Sequence, residues 1–115
     1  DAEAKLKADA AAFISEGISR AALGDHKAAI QNFDEAIRLN AEPAFMYKQR
    51  GASYHALGDY KAAVKDYDEA IRLNAEDADA YYDRSASHNA LGNHEAAERD
   101  LAVAAELNSK HNDPR

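Results

Sequence analysis

The side chains of this chain with the means to do chemistry are five histidines, a set of adjacent carboxylates and two arginine–aspartate patterns. His26, His55, His88, His94 and His111 could each ligate a metal or carry a proton. No two of them stand three or four residues apart, the helical spacing that aims two imidazoles at one ion. The sequence predicts no metal site and no bound cofactor. Asp34-Glu35 and Asp68-Glu69 are neighbours in the chain, so on a helix they point to different parts of its surface. They are expected to be solvated rather than to serve as a general acid with its base. With no cysteine there is no thiolate, the glycines are too scattered for a phosphate loop, and no serine stands in a nucleophile motif. The expectation is a protein that is not an enzyme.

Arg50 precedes Asp66, and Arg84 precedes Asp100, by the same interval, whereas Glu16 and Asn32 hold the equivalent places near the start. The arginine and the aspartate are present together and absent together. Partly buried ion pairs follow, Arg50 with Asp66 and Arg84 with Asp100, or alternatively a bridge from Arg84 to Asp66, with a structural role.

The elements that position these groups come from a repeat. LGDHKAAIQNFDEAIRLNAE from Leu23, LGDYKAAVKDYDEAIRLNAE from Leu57 and LGNHEAAERDLAVAAELN from Leu91 begin 34 residues apart. A period of that size marks stacked units, each too small to bury its apolar face alone. Tyr47, Gly51, Tyr54 and Leu57, then Tyr60, Ala63, Val64, Tyr67, Ala70 and Ile71, recur at three- and four-residue steps, which makes two amphipathic helices. Between them Gly58 can take the left-handed conformation that ends one helix, and Asp59 can cap the next. Gly24-Asp25 and Gly92-Asn93 repeat the device. Asn40, Asn74 and Asn108 are expected to stop the second helix of each unit in the left-handed region.

Six helices are predicted, at about 2–23, 26–39, 44–57, 60–73, 78–91 and 94–107. Short connections make neighbours antiparallel. Gly17, Gly51 and Ser85 facing Ala29, Ala63 and Ala97 should let paired backbones approach, with Phe13, Tyr47, Tyr81, Phe33, Tyr67 and Leu101 filling the space around them.

Composition narrows the partners. Fourteen basic against 21 acidic side chains give a net charge of -7, which disfavours nucleic acid and anionic lipid. No apolar stretch reaches membrane-spanning length, and the start lacks the order of a secretory signal. The expectation is a cytoplasmic location, or a signal that lies outside these 115 residues.

The aromatics Phe13, Tyr47 and Tyr81, the small residues Gly17, Gly51 and Ser85, then Ala29, Ala63 and Ala97, the bulky Phe33, Tyr67 and Leu101, and Ala36, Ala70 and Ala104 recur in register. This set resembles the tetratricopeptide repeat signature in all three copies. The proline usual at the end of a repeat is replaced by Ala41, Ala75 and Ser109, so helix ends are expected to fray or run on.

The resemblance implies an all-α fold, an α-solenoid of three stacked antiparallel helix pairs forming a right-handed superhelix. Residues 1–9 extend the first helix, 10–43, 44–77 and 78–109 are the repeats, and 110–115 form a flexible tail. It also implies a concave groove lined by first helices, receiving Ile14 and Ile18, then Phe45, Lys48 and His55, then Asp79, Tyr82 and Asn89, with Asp83 at the acidic end. Ile14 and Ile18 pack instead against the start of the first helix in an alternative reading. Some family members clamp acidic chaperone tails with lysine, asparagine and arginine; here the corresponding places hold Ile14, Ile18, Gln49, Asp79 and Asp83, and the two aspartates would repel such a tail.

The function expected is a non-enzymatic scaffold or adaptor that holds a protein or peptide with an apolar anchor and a basic end. Two alternatives stand beside it. One is self-assembly into a homo-oligomer through an apolar outer side of the last helix, around Leu101, Val103 and Leu107. The other is a regulatory domain of a larger enzyme.

Overall fold

The computed structural model describes residues 1–111, and the last four residues of the expected tail lie outside them. Six helices follow one another: α1 (Ala2–Ala22), α2 (His26–Arg38), α3 (Pro43–Ala56), α4 (Tyr60–Leu73), α5 (Ala78–Ala90) and α6 (His94–His111). No strand occurs among the described residues.

Each turn within a repeat is built alike. Gly24, Gly58 and Gly92 take φ of +83°, +82° and +82°, a conformation costly for any residue with a Cβ. This lets the amide of Gly24 donate to the Ala21 carbonyl and that of Asp25 to the Arg20 carbonyl, the paired bonds of a Schellman stop. Asp25 and Asp59 then accept from the amides of Ala28 and Ala62, three residues on, and start α2 and α4.

The turns between repeats differ from expectation. Asn40 is left-handed at φ +55°, but Asn74 is not, at φ -148°. Its side-chain oxygen accepts from the Glu76 amide instead, and this local bond turns the chain without the left-handed stop. Asn108 does not stop its helix at all. α6 runs on to His111, because Ser109 stands where a proline ring would have barred the way. Residues 110 and 111, which fall in the expected tail of 110–115, are helical.

Packing follows the small residues. A Cβ at Gly17 would lie 2.5 Å from the Phe33 ring, and one at Gly51 would lie 3.0 Å from Tyr67. Phe33 and Tyr67 are buried, each stabilising the fold by about 1.5–3 kcal/mol. Met46 of the second repeat is fully buried in one cluster with Ala29, Phe33 and Ala36 of the first. That contact ties adjacent repeats together.

Leu101, the counterpart of Phe33 and Tyr67, is 40% exposed, since no helix packs on the outer side of α6 among the described residues. Leu107, expected on that outer side, is buried. The positions that carry Ile30, Phe33 and Ile37 in repeat 1 carry Glu98, Leu101 and Ala105 in repeat 3. Leucine stands alone there between a charge and a methyl group.

α1 touches α3 and α3 touches α5, whereas α2, α4 and α6 make no direct contact with one another among the described residues. The first helices therefore converge and the second helices splay. The stack curves around the face made by α1, α3 and α5.

Candidate peptide-binding face

On that inner face the apolar end is a shallow depression of about 560 Å³, with Ala11, Ile14 and Ile18 along α1 and Lys7 and Glu42 at its rim. Ile14 is half-buried and leans on the core cluster, while Ile18 is 40% exposed. One repeat further, Pro43, Phe45 and Leu73 line a second depression with Lys48 and Asp77. A smaller one of about 200 Å³ opens between α3 and α5, lined by Ala52, His55, Tyr67, Asp83 and Ala86. On α5, Tyr82 is 61% exposed, and Asp79 and Asn89 are exposed on the same helix.

Several polar groups of this face are already occupied. Lys48 donates to Asp77 at 2.7 Å, with its ammonium 5.9 Å from the Phe45 ring centre. Asp77 also caps α5 by accepting from the Asp79 amide. His55 Nδ1 lies 2.8 Å from Ser87 Oγ, and its ring meets Tyr60 edge-on at 5.0 Å. Asn89 Oδ1 lies 2.9 Å from His94 Nδ1 at the start of α6. Lys48, His55 and Asn89 thus hold the chain's own elements together.

Asp83 differs. It is half-buried, and no hydrogen bond or ion pair reaches it among the described residues. Burial raises its carboxyl above the usual range; Asp79 adds to the rise and Lys48 opposes it. Burial also raises the Tyr67 phenol, with Asp83 contributing. The result is a carboxylate partly stripped of water and left without a cation.

The opposite arrangement lies between the helices. Arg50 Nε and Nη2 donate to the two oxygens of Asp66 at 2.9 and 2.8 Å, and Nη1 donates to Asp34 of the preceding repeat at 2.7 Å. Arg84 does the same with Asp100 and with Asp68, the latter at 2.9 Å. The cross-repeat bridge of Arg84 therefore goes to Asp68 and not to Asp66. Asp34 and Asp68, though about half exposed, are bonded across repeats rather than merely solvated. Tyr47 and Tyr54 flank the Arg50 guanidinium at 5.4 and 5.8 Å. Hydrogen bonds to the aspartates, Asp66 first, raise the arginine pKa still higher, while burial raises that of Asp66 against the pull of Arg50. In repeat 1, Glu16 pairs instead with Arg20, and Asn32 donates to the Ala28 carbonyl.

No group of three metal-ligating side chains converges among the described residues. His26 Nδ1 lies 3.3 Å from Ser53 Oγ, but Ser53, like Ser87, is buried beyond the reach of a substrate. His88 Nδ1 is buried without a partner, and its Nε2 lies 3.9 Å from Asp100. No helix is long and apolar enough to cross a membrane among the described residues.

Sequence reading missed Asp77 and the two serines that receive histidines. Asp77, the cap of α5, occupies the repeat position that Pro43 holds as the first residue of α3, and a capping aspartate there was a visible signal. Ser53 and Ser87 sit at one repeat position, which periodicity also displays.

The helix pairs, their curvature and the repeated signature define a helical-repeat solenoid, and sequence comparison specifies which one. Residues 11–43 match the family described as tetratricopeptide repeat, and residues 51–93 match that described as TPR repeat. The chain belongs to the tetratricopeptide repeat family, whose domains are typically non-enzymatic protein-interaction modules. A search of curated proteins gave no match. Among solved structures, MamA superposes with a TM-score of 0.84 at 24% identity, over 89% of this chain and 60% of MamA. The chain thus spans less than two thirds of that relative. The Arabidopsis OM64 TPR domain gives 0.86 at 22% identity, over 91% of this chain and 87% of that one. The second TPR domain of human RPAP3, in complex with the HSP70 peptide SGPTIEEVD, gives 0.84 at 21% identity, over 95% and 89%. At these identities the likeness shows the fold.

Proposed function

We propose that this module is a non-enzymatic adaptor whose inner face holds an extended or helical segment of a partner protein, with an apolar anchor and a basic side chain. The observation that carries this reading is Asp83, a half-buried carboxylate to which no hydrogen bond or ion pair is made among the described residues, next in the chain to the exposed ring of Tyr82 and one helix away from α3, which carries the exposed ring of Phe45. A lysine or arginine seated there would neutralise it, and the aromatics would gain from desolvation. Ile14 and Ile18 offer a further apolar station along the same face.

The peptide SGPTIEEVD held by human RPAP3 ends in acidic residues. An acidic tail fits poorly in the second and third repeats, because Asp77, Asp79 and Asp83 lie there and Lys48 is paired with Asp77. Self-assembly through the outer side of α6 is disfavoured by Glu98 and by the burial of Leu107.

Selection from a displayed random peptide pool tests the reading. The native protein should enrich sequences with an aliphatic or aromatic residue near lysine or arginine, and Asp83→Asn should lose the basic preference. Enrichment of acidic peptides, or the same pool for both proteins, would overturn it.

A further inference from the structure

Tyr67 is only 2% exposed, yet no hydrogen bond reaches its hydroxyl among the described residues. A buried phenol usually finds a partner. Gly51 lets the ring lie across α3, with Cζ, the carbon that bears the hydroxyl, 3.2 Å from where a Cβ at Gly51 would stand. Tyr67 thereby comes to line the hollow of about 200 Å³ between α3 and α5, together with His55, Asp83 and the methyl groups of Ala52 and Ala86.

The preceding junction between repeats has the same positions and none of this chemistry. One repeat earlier, Ala21 stands for His55, Phe33 for Tyr67 and Gln49 for Asp83, and none of the three ionises. Phe33 completes its core cluster as a plain ring, so packing does not ask for the hydroxyl. The phenol, the imidazole and the carboxylate are present together at one junction and absent together at the other.

Neighbouring cations of the chain are engaged elsewhere. Lys48 is held by Asp77, and Arg84 by Asp100 and Asp68. Burial raises the Asp83 carboxyl and Asp79 adds to the rise, as expected of a carboxylate short of positive charge. His55 Nδ1 lies 2.8 Å from Ser87 Oγ, and with the proton on that nitrogen Nε2 is an acceptor.

A carboxylate oxygen, a phenol oxygen and an imidazole nitrogen thus border one small hollow with methyl walls. An ammonium group brings three N–H donors and no acceptor, and the methylenes behind it suit the two alanines. A guanidinium spreads five donors over a planar fork and would leave several of them unpaired here. We infer that this hollow is a lysine pocket, in which Asp83, Tyr67 and His55 hold the ammonium of a lysine from the partner protein and discriminate against arginine. The inference rests on the binding role proposed above for the inner face and narrows its basic residue to lysine.

The test uses the full chain and a lysine-containing peptide from the displayed pool, titrated calorimetrically beside the same peptide with arginine in place of that lysine. The native protein should prefer lysine at least about tenfold. Tyr67→Phe removes only the hydroxyl and installs the residue type of Phe33, so helicity and melting temperature should hold while the preference falls below about threefold. Asp83→Gln, which installs the residue type of Gln49, should lose the preference as well. An equal loss of affinity for both peptides in these variants, leaving the preference as it was, is what merely structural side chains would give and would overturn the inference. A native pool that takes arginine as readily as lysine would also overturn it, and would leave the groove reading standing. A pool without basic residues would overturn that reading and the lysine pocket with it.

Discussion

Arg50 and Asp83 are both half-buried charges on the first helices of their repeats, and they have opposite fates. The Arg50 guanidinium is bonded to aspartates on both sides and flanked by tyrosines, all from its own chain. Asp83 has Lys48 in its neighbourhood, but Lys48 is held by Asp77. Where the chain supplies every partner, the charge fixes helix pair to helix pair; where it supplies none, we propose that the charge serves a partner protein.

The largest effect that could break this contrast is at the lock. Arg50→Ala leaves Asp66, with a side chain only 6% exposed, without its partner, and should destabilise by about 3 kcal/mol in urea unfolding. Arg50→Met/Asp66→Leu should recover much of the loss, and strictly additive single-mutant costs would show that the two side chains do not interact. Next comes Gly17→Ala, whose methyl group collides with Phe33 and should cost about 1–3 kcal/mol. Asp34→Ala removes only the half-exposed arm of the lock and should cost about 0.2–1 kcal/mol.

The smallest effect has the opposite sign. The folded state holds the Asp83 proton more tightly than the unfolded chain does, so its ionisation destabilises the fold as pH rises through the carboxylate range. Asp83→Asn should therefore be slightly more stable than native at neutral pH, and the difference should vanish at acid pH in a series of thermal melts. A native protein more stable than Asp83→Asn at pH 7 would mean that Asp83 has an internal partner.

The fold was legible because the three units repeat the same local signals. Left-handed glycines and capping aspartates place the turns, and Gly17, Gly51, Phe33 and Tyr67 place the helix pairs, all within one repeat of sequence. The site was less so. Pairings across repeats, such as Arg50 with Asp34, His55 with Ser87 and Lys48 with Asp77, depend on how far one repeat is rotated against the next. Periodicity names the positions on a face but does not say which of their polar groups are spoken for. For the same reason Leu107 reads as exposed in sequence but is buried in the stack.

The most direct test compares Asp83→Asn with Asp66→Asn, measuring each variant's melting temperature and its affinity for one peptide selected by the native protein. The account predicts that Asp83→Asn keeps or raises the melting temperature and weakens binding at least about tenfold, a loss of about 1.4 kcal/mol. Asp66→Asn should lose several degrees, at about 4–8 °C per kcal/mol for a domain near this size, and bind normally while folded. Undiminished binding by Asp83→Asn would contradict the assignment of the open charge to a partner.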